Sequence, residues 1–130
     1  MRKETYRGME EEKLRQIGLE EFLPLTTSRN RRTLKRLNQN PRLKKLIEKI
    51  RKLKGDAKKP IRTHVREAVI LPEWLGLTFA VYNGKEFKSV QITYDKVGRR
   101  LGDFSHTTTR VLHSGPGVGA TRGSKFVPLK

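Results

Sequence analysis

The sequence predicts an α+β fold: a small, mostly antiparallel three-stranded sheet with a short helix, a basic helical N-terminal extension and an irregular C-terminal tail. Three observations support this prediction. Apolar residues recur at spacings of three and four between residues 43 and 53, they alternate with polar residues from 77 to 82, and glycine and proline replace apolar periodicity after residue 105. The first pattern is typical of an amphipathic helix and the second of a strand. We therefore divide the chain into an extension (1–58), a core (59–104) and a flexible basic tail (105–130).

The first two predicted helices open the extension. The first has the acidic residues Glu10–Glu12 in its first turn, where they favour the positive end of the helix dipole, and Gly18 ends it. After a short apolar segment, the second helix begins at Thr27 or Ser28, both good N-cap residues, and continues to Arg36.

The third helix has the clearest signals. Asn40 is its N-cap, Pro41 stands at the first helical position, and Gly55 ends it. Its apolar residues form one stripe, which comprises Leu43, Leu46, Ile47, Ile50 and Leu53. A basic amphipathic helix also suits a membrane surface. We prefer RNA or DNA, because the stripe contains no Trp or Phe and the basic segment continues past the helix.

The core is predicted to begin with two strands. The continuous apolar run Ala68–Leu71, which ends at Pro72, indicates a buried strand. The alternation of apolar and polar residues over Leu77–Tyr82 indicates a second strand. Trp74 is expected to pack on the edge of the sheet, with base stacking as the alternative.

A hairpin and a short helix complete the predicted core. Asn83-Gly84 is typical of a two-residue turn in which both residues take positive φ. The next strand carries Phe87 out of register, through a bulge, and has one apolar face made of Val90, Ile92 and Tyr94. A short helix from about Asp95, ended by Gly102, carries the adjacent arginines 99 and 100. Core packing does not explain two adjacent arginines, so we favour phosphate contacts for them.

Charge is distributed in blocks. The whole chain has a formal net charge of +17. Residues 28–66 hold sixteen bases and two acids, whereas residues 67–104 hold five of each and are neutral. A block with a net charge of +14 repels itself unless anions lie close to it. The pattern therefore predicts a polyanionic partner for basic segments that flank a neutral core.

Several other classes of function are disfavoured. The glycine-rich segment 115–125 lacks the spacing of a nucleotide-binding loop. The histidines 64, 106 and 113 have no metal-ligand spacing, and no nucleophile with an orienting acid accompanies them. We expect no catalysis, no cofactor and no metal. Apolar stretches are short, no signal segment is evident and cysteine is absent, so we expect an intracellular, soluble protein.

A run of fixed spacings connects the predicted turn to the start of the tail. It comprises Asn83-Gly84-Lys85, Ile92, Val97-Gly98, Leu101-Gly102-Asp103-Phe104 and Thr107. In these positions the chain resembles the small-subunit ribosomal protein S19 family. Residues 62–67, 71–73 and 115–122 look like the archaeal and eukaryotic branch of that family. The resemblance is tight over most of residues 59–130 and looser over the helical extension. One departure is Arg99, where many relatives carry histidine.

The resemblance implies a structural, non-enzymatic component in the head of the small ribosomal subunit, in the cytoplasm. Its implied partners are small-subunit rRNA, the neighbouring ribosomal protein S13 and, through the tail, tRNA in the decoding region, with no membrane. The alternative from another class is a basic DNA-organising or other regulatory nucleic-acid-binding protein, which a pair of recognition helices or dimerisation would favour. The residues expected to bind rRNA are Arg31, Arg32, Arg36, Lys59, Arg62, His64, Arg66, Lys85, Arg99, Arg100, His106, Thr107 and Arg110. Those expected in the tail, near tRNA or rRNA, are His113, Arg122 and Lys125.

Overall fold

The computed structural model describes residues 5–53 and 58–111, and these residues form an α+β fold as predicted. The helices of the described residues are α1 (Glu11–Gln16), α2 (Leu19–Phe22), α3 (Ser28–Lys35) and α4 (Pro41–Leu53). The strands are β1 (Thr5–Tyr6), β2 (Met9–Glu10), β3 (Ile61–Thr63), β4 (Thr78–Tyr82) and β5 (Phe87–Gln91). Single turns of 3₁₀ helix connect several of these elements.

The central sheet has the strand order β3-β4-β5, with β4 in the middle. Strand β3 pairs with β4 in parallel, whereas β4 and β5 form an antiparallel hairpin. A separate antiparallel ribbon of β1 and β2, which the sequence analysis did not predict, precedes α1. Two of these three pairings are antiparallel, which agrees with the predicted class of sheet.

The prediction that Ala68–Leu71 forms a strand was wrong, because the strand that completes the sheet with β4 and β5 is β3. Residues 68–71 are buried and extended, but they pair with the segment 98–101 through an isolated bridge. The N–H of Ile70 donates to the carbonyl of Arg99 at 2.7 Å, and the N–H of Leu101 donates to the carbonyl of Ala68 at 3.0 Å. A continuous apolar run indicates that a segment is buried, but it does not identify the segment with which its backbone pairs.

The hairpin between β4 and β5 also differs from the prediction. Its loop is residues 83–86, because Tyr82 pairs directly with Phe87. Only Gly84 has positive φ (100°), whereas Asn83 holds the loop with its side chain. The Asn83 Oδ1 accepts hydrogen bonds from the N–H groups of Lys85 at 3.0 Å and Glu86 at 2.9 Å. Phe87 is in register without a bulge, so it lies on the face of the sheet opposite to Val90.

The predicted short helix after residue 95 is replaced by two 3₁₀ turns, Tyr94–Lys96 and Leu101–Phe104. Between them Gly98 takes a φ of +78°, which breaks the helical path. Arg99, in a bend, and Arg100, in the isolated bridge, therefore lie in a link between the two turns rather than in a helix. This link is the segment that pairs with residues 68–70.

Helices α1, α3 and α4 begin close to the predicted residues, whereas α2 lies in the segment that was predicted only as apolar. The Asn40 Oδ1 accepts a hydrogen bond from the N–H of Arg42 at 3.2 Å, as an N-cap does, and Pro41 is the first residue of α4. Along the predicted stripe Leu43, Leu46 and Ile50 are buried, Ile47 is half-buried and Leu53 is exposed. The predicted end of this helix at Gly55 lies outside the described residues.

One hydrophobic cluster contains residues from both sides of residue 58. The extension contributes Leu14, Phe22, Leu34, Leu43, Leu46 and Ile50. The core contributes the residues of β3, β4 and β5 that face inward, the run 68–71, Val97 and Leu101. Trp74 is 1% exposed and its ring lies 5.3 Å from that of Phe79. It is therefore part of the core, and the alternative that it stacks on a base was wrong.

Replacing Gly98 with alanine is expected to destabilise the fold by about 2–5 kcal/mol, because strain and overpacking act together. A Cβ at this buried position would lie 2.5 Å from the Tyr6 Oη, in a backbone conformation that L residues avoid. Gly76 is the matched control, because its φ is +83° and an added Cβ would meet nothing within 4 Å. Gly76→Ala is expected to cost only about 1–2 kcal/mol. Urea unfolding measures both values, and equal losses would contradict the packing of Tyr6 against Gly98.

Candidate nucleic-acid interface

Four arginines line a depression on the surface of α3. Arg29, Arg32 and Arg36 follow one another at spacings of three and four, which places them on the same side of the helix. Arg100 reaches the same depression from the link, and Ser28 and Thr33 complete its lining. We name Arg29, Arg32, Arg36 and Arg100 the arginine cradle. The cradle joins the extension to the core, because Arg100 lies about 70 positions after the residues of α3 in the sequence.

Arg100 is held in the cradle by hydrogen bonds to two elements. Its Nε donates to the Asn30 Oδ1 at 3.0 Å, and its Nη2 donates to the Thr33 Oγ1 at 3.0 Å. Its Nη1 donates to the carbonyl of Glu67 at 3.3 Å. Asn30 is 8% exposed, and its Nδ2 donates to the carbonyl of Gly98 at 2.7 Å. The guanidinium of Arg100 is therefore fixed, whereas Arg32 and Arg36 are exposed on the rim.

The electrostatics of the cradle favour an anion. Burial and the positive charge of Arg29 lower the pKa of Arg100 from its ordinary value, with Asp103 and Glu67 opposing the shift. Arginine nevertheless stays protonated at neutral pH. Within residues 5–53 and 58–111, the ion pairs join Arg15 to Glu11 and Arg51 to Glu73, and neither neutralises the cradle. Four clustered positive charges repel one another, and a phosphate between them would relieve that repulsion.

Besides Arg100, two other predicted site residues make internal hydrogen bonds through their side chains. The Arg31 Nε donates to the carbonyl of Leu23 at 3.0 Å, and its Nη2 donates to that of Thr26 at 3.2 Å. Arg66 donates to the carbonyl of Tyr82 at 2.6 Å, to that of Gly102 at 3.0 Å and to that of Ser105. Both side chains supply donors to carbonyls at the ends of neighbouring elements. A role of either residue in binding RNA stays a prediction.

The other predicted residues are spread over the surface. Those exposed in the described residues are Arg32, Arg36, Lys59, Arg62, His64, Lys85, Arg99, His106, Thr107 and Arg110. Lys85 lies in the hairpin loop, and the last three lie in the segment that follows the buried Ser105. The structure brings Arg32, Arg36 and Arg100 together, and it also brings Arg62 and His64 together. His113, Arg122 and Lys125 lie outside the described residues.

A second surface combines basic and aromatic side chains. Arg62 and His64 flank the buried Thr63, and the direct pairing of Tyr82 with Phe87 places these two rings on one face. The ring of His64 lies 4.7 Å from the Tyr82 ring and 5.1 Å from the Phe87 ring. The Arg62 Cζ lies 5.5 Å from the centre of the Phe87 ring. We name Arg62, His64, Tyr82 and Phe87 the aromatic face.

Five contributing residues were not predicted from the sequence: Arg29 of the cradle, Asn30 and Thr33, which hold Arg100 in it, and Tyr82 and Phe87 of the aromatic face. Arg29 was visible in the basic block, and its spacing from Arg32 and Arg36 was a usable signal. Asn30 and Thr33 carry no such signal, because their partner Arg100 is distant in sequence. Tyr82 was predicted as the end of a strand and Phe87 as part of a bulge, so their shared face was not recognised.

Two classes of site are not found among the described residues. No helix described in the structure has the length and apolar character that a membrane span needs. No cluster of three or more His, Cys, Asp or Glu side chains suited to a metal ion occurs in residues 5–53 and 58–111.

The fold and its surfaces define a class, the small basic α+β proteins that present clustered arginines on a compact core. The model of the family described as ribosomal protein S19 matches residues 32–113. Proteins named small ribosomal subunit protein uS19 from strains C5 and C7 of Methanococcus maripaludis are each 45% identical to this chain over 130 residues. Each alignment covers 96% of this chain and 80% of the relative. The chain therefore belongs to the ribosomal protein S19 family.

Proposed function

We propose that this protein is a structural constituent of the small ribosomal subunit that binds small-subunit rRNA in the head of the subunit. The observation that carries the proposal is the 45% identity, over 96% of the chain, to proteins named small ribosomal subunit protein uS19. The proposed location is the ribosome of the cytoplasm. We propose no enzymatic activity.

The charge distribution supports RNA as the partner. The arginine cradle offers several guanidinium groups to one region of backbone, and planar guanidinium groups bind phosphate through paired hydrogen bonds. Helix α4 adds exposed lysines and arginines along its outer side, at residues 42, 44, 45, 49, 51 and 52. These contacts with phosphates fix position and orientation without reading sequence, as a structural role in a folded RNA requires.

The finer parts of the proposal concern neighbours. We propose that the protein lies beside ribosomal protein S13 and that its tail, with His113, Arg122 and Lys125, reaches the tRNA sites. The similarity of residues 115–122 to the archaeal and eukaryotic branch supports this part, as does the absence of acidic residues after residue 105. Crosslinking in cells tests all of these contacts at once. Recovery of small-subunit rRNA, S13 and tRNA is expected, whereas recovery of scattered DNA would favour a DNA-organising protein.

The affinity of the full-length protein for small-subunit rRNA is expected to fall steeply with salt. If the basic surfaces contact about six to ten phosphates, binding should weaken roughly 10³- to 10⁵-fold between about 50 and 200 mM salt. Binding releases counterions from the RNA, and this release is less favourable when the salt concentration is high. Filter binding to transcribed small-subunit rRNA of Methanococcus maripaludis measures this slope. A nearly flat dependence would contradict an interface built on phosphate contacts. Equal affinity for a DNA duplex of matched length would contradict the preference for RNA.

A further inference from the structure

Three aromatic rings meet on the outer face of the sheet, near the loop that joins β4 to β5. Besides the contacts of His64, the rings of Tyr82 and Phe87 lie 5.1 Å apart between centroids. Aromatic pairs at such distances attract each other in tilted and edge-to-face arrangements. The hydroxyl of Tyr82 donates to the carbonyl of Gly84 at 3.0 Å, which orients its ring. The rings therefore support one another in a defined cluster.

This cluster is not part of the core. In the described residues, neither Tyr82 nor Phe87 belongs to the hydrophobic cluster or to the half-buried residues packed against it. Phe87 is 37% exposed, and His64 is exposed. Burial stabilises in proportion to the apolar area removed from water, so this exposed ring gains only part of the stabilisation that a core phenylalanine gains. Exposed aromatic groups with a polar rim are typical of binding surfaces.

Cations lie beside the rings. Arg62 covers part of the Phe87 ring, and Lys85 lies in the loop that follows Tyr82. Aromatic rings offer a stacking surface to any base, and cations beside them attract the phosphates that join one base to the next. Bases within a duplex are already stacked on their neighbours, so they offer no free face to a protein ring. The chemistry of this surface therefore matches single-stranded nucleic acid.

We propose that the aromatic face binds an unpaired nucleobase of RNA by stacking, with Arg62 and Lys85 holding the adjacent phosphates. This inference rests on the proposed function and deepens it. The arginine cradle contacts phosphates whatever their base pairing, whereas the aromatic face requires a loop, bulge or strand end. The two surfaces together direct the protein to a junction of paired and unpaired RNA.

The test compares a labelled oligouridylate of about ten nucleotides with a blunt-ended RNA duplex of similar length. Phe87→Leu keeps an apolar side chain of similar volume but removes the ring, so affinity for the oligouridylate is expected to fall roughly 5- to 150-fold. Affinity for the duplex is expected to stay within about twofold, because duplex bases are not available for stacking. Phe87→Tyr, which retains a ring, is expected to bind the oligouridylate like the original chain.

Phe104→Leu is the matched control. A cation also lies over the ring of Phe104, with the Lys96 Nζ 5.5 Å from its centre, but this ring packs against the core. The control should bind the oligouridylate normally once the folded fraction is measured by circular dichroism. If Phe87→Leu binds as tightly as the original chain or loses no more than Phe104→Leu, base stacking is overturned and the proposed function stands. If the original chain binds neither oligouridylate nor small-subunit rRNA, both proposals fail.

Discussion

Replacing Arg29, Arg32 and Arg36 together with glutamine is expected to weaken binding to small-subunit rRNA roughly 10²- to 10³-fold at about 100 mM salt. Each phosphate contact contributes roughly 0.7 to 0.9 to the slope of log affinity against log salt concentration. Three contacts therefore contribute about two to three decades of affinity when salt is lowered from about 1 M to about 100 mM. The three side chains are exposed or line an open depression, so the fold should survive the change.

The matched control for this triple variant is the replacement of the same three arginines with lysine. Lysine retains the charge, so the salt slope should be preserved, while the paired hydrogen bonds of guanidinium are lost. Filter binding over a series of salt concentrations separates the two effects. A glutamine variant with an unchanged slope would show that the cradle does not face RNA.

Arg100→Met is expected to lower the free energy of unfolding by about 2–4 kcal/mol, because it leaves buried acceptors without their donor. The Asn30 Oδ1 and the carbonyl of Glu67 both lose a hydrogen bond. Methionine keeps most of the length of the side chain, which limits the loss of packing. Urea unfolding followed by circular dichroism measures the change.

Arg99→Met is the control for that variant, because it removes the same charge from the neighbouring residue. Arg99 is exposed, so its replacement should change stability by less than about 0.5 kcal/mol. The loss in the free energy of unfolding for Arg100→Lys should lie between those of the two methionine variants, since one ammonium group replaces only part of the hydrogen bonding. Similar losses for Arg99→Met and Arg100→Met would mean that net charge, and not the contacts of Arg100, determines stability.

The helices of the extension were predictable because their signals are local. A side chain that caps a helix, as Asn40 does, acts on N–H groups two and three residues away. The stripe of α4 is a periodicity within a single element. The sheet was less predictable, because β3 has only three residues and its partner β4 follows it in parallel after a long connection. Residues 68–71 are more apolar than β3 and are buried, yet they pair outside the sheet.

The candidate site was predictable in its charge and not in its geometry. The basic block indicated a polyanion, and it contains Arg31, Arg32 and Arg36, of which the last two share a side of the helix with Arg29. The structure separates them, since Arg31 donates to carbonyls of its own neighbourhood while Arg32 and Arg36 line the cradle. Arg66 likewise donates to internal carbonyls, whereas Arg62 is exposed beside the ring of Phe87. Which arginine is used internally depends on carbonyls that only the folded chain brings within reach.

The hydrogen bonds from Asn30 and Thr33 of α3 to Gly98 and Arg100 affect when α3 can fold during synthesis of the chain. They join residues 67 to 70 positions apart. At roughly 5–20 residues per second, about 4–14 s separate the emergence of α3 from that of its partners. An eight-residue helix is not stable alone in water. Helix α3 is therefore expected to stay unfolded, with its arginines available to any RNA nearby, until Arg100 has been translated.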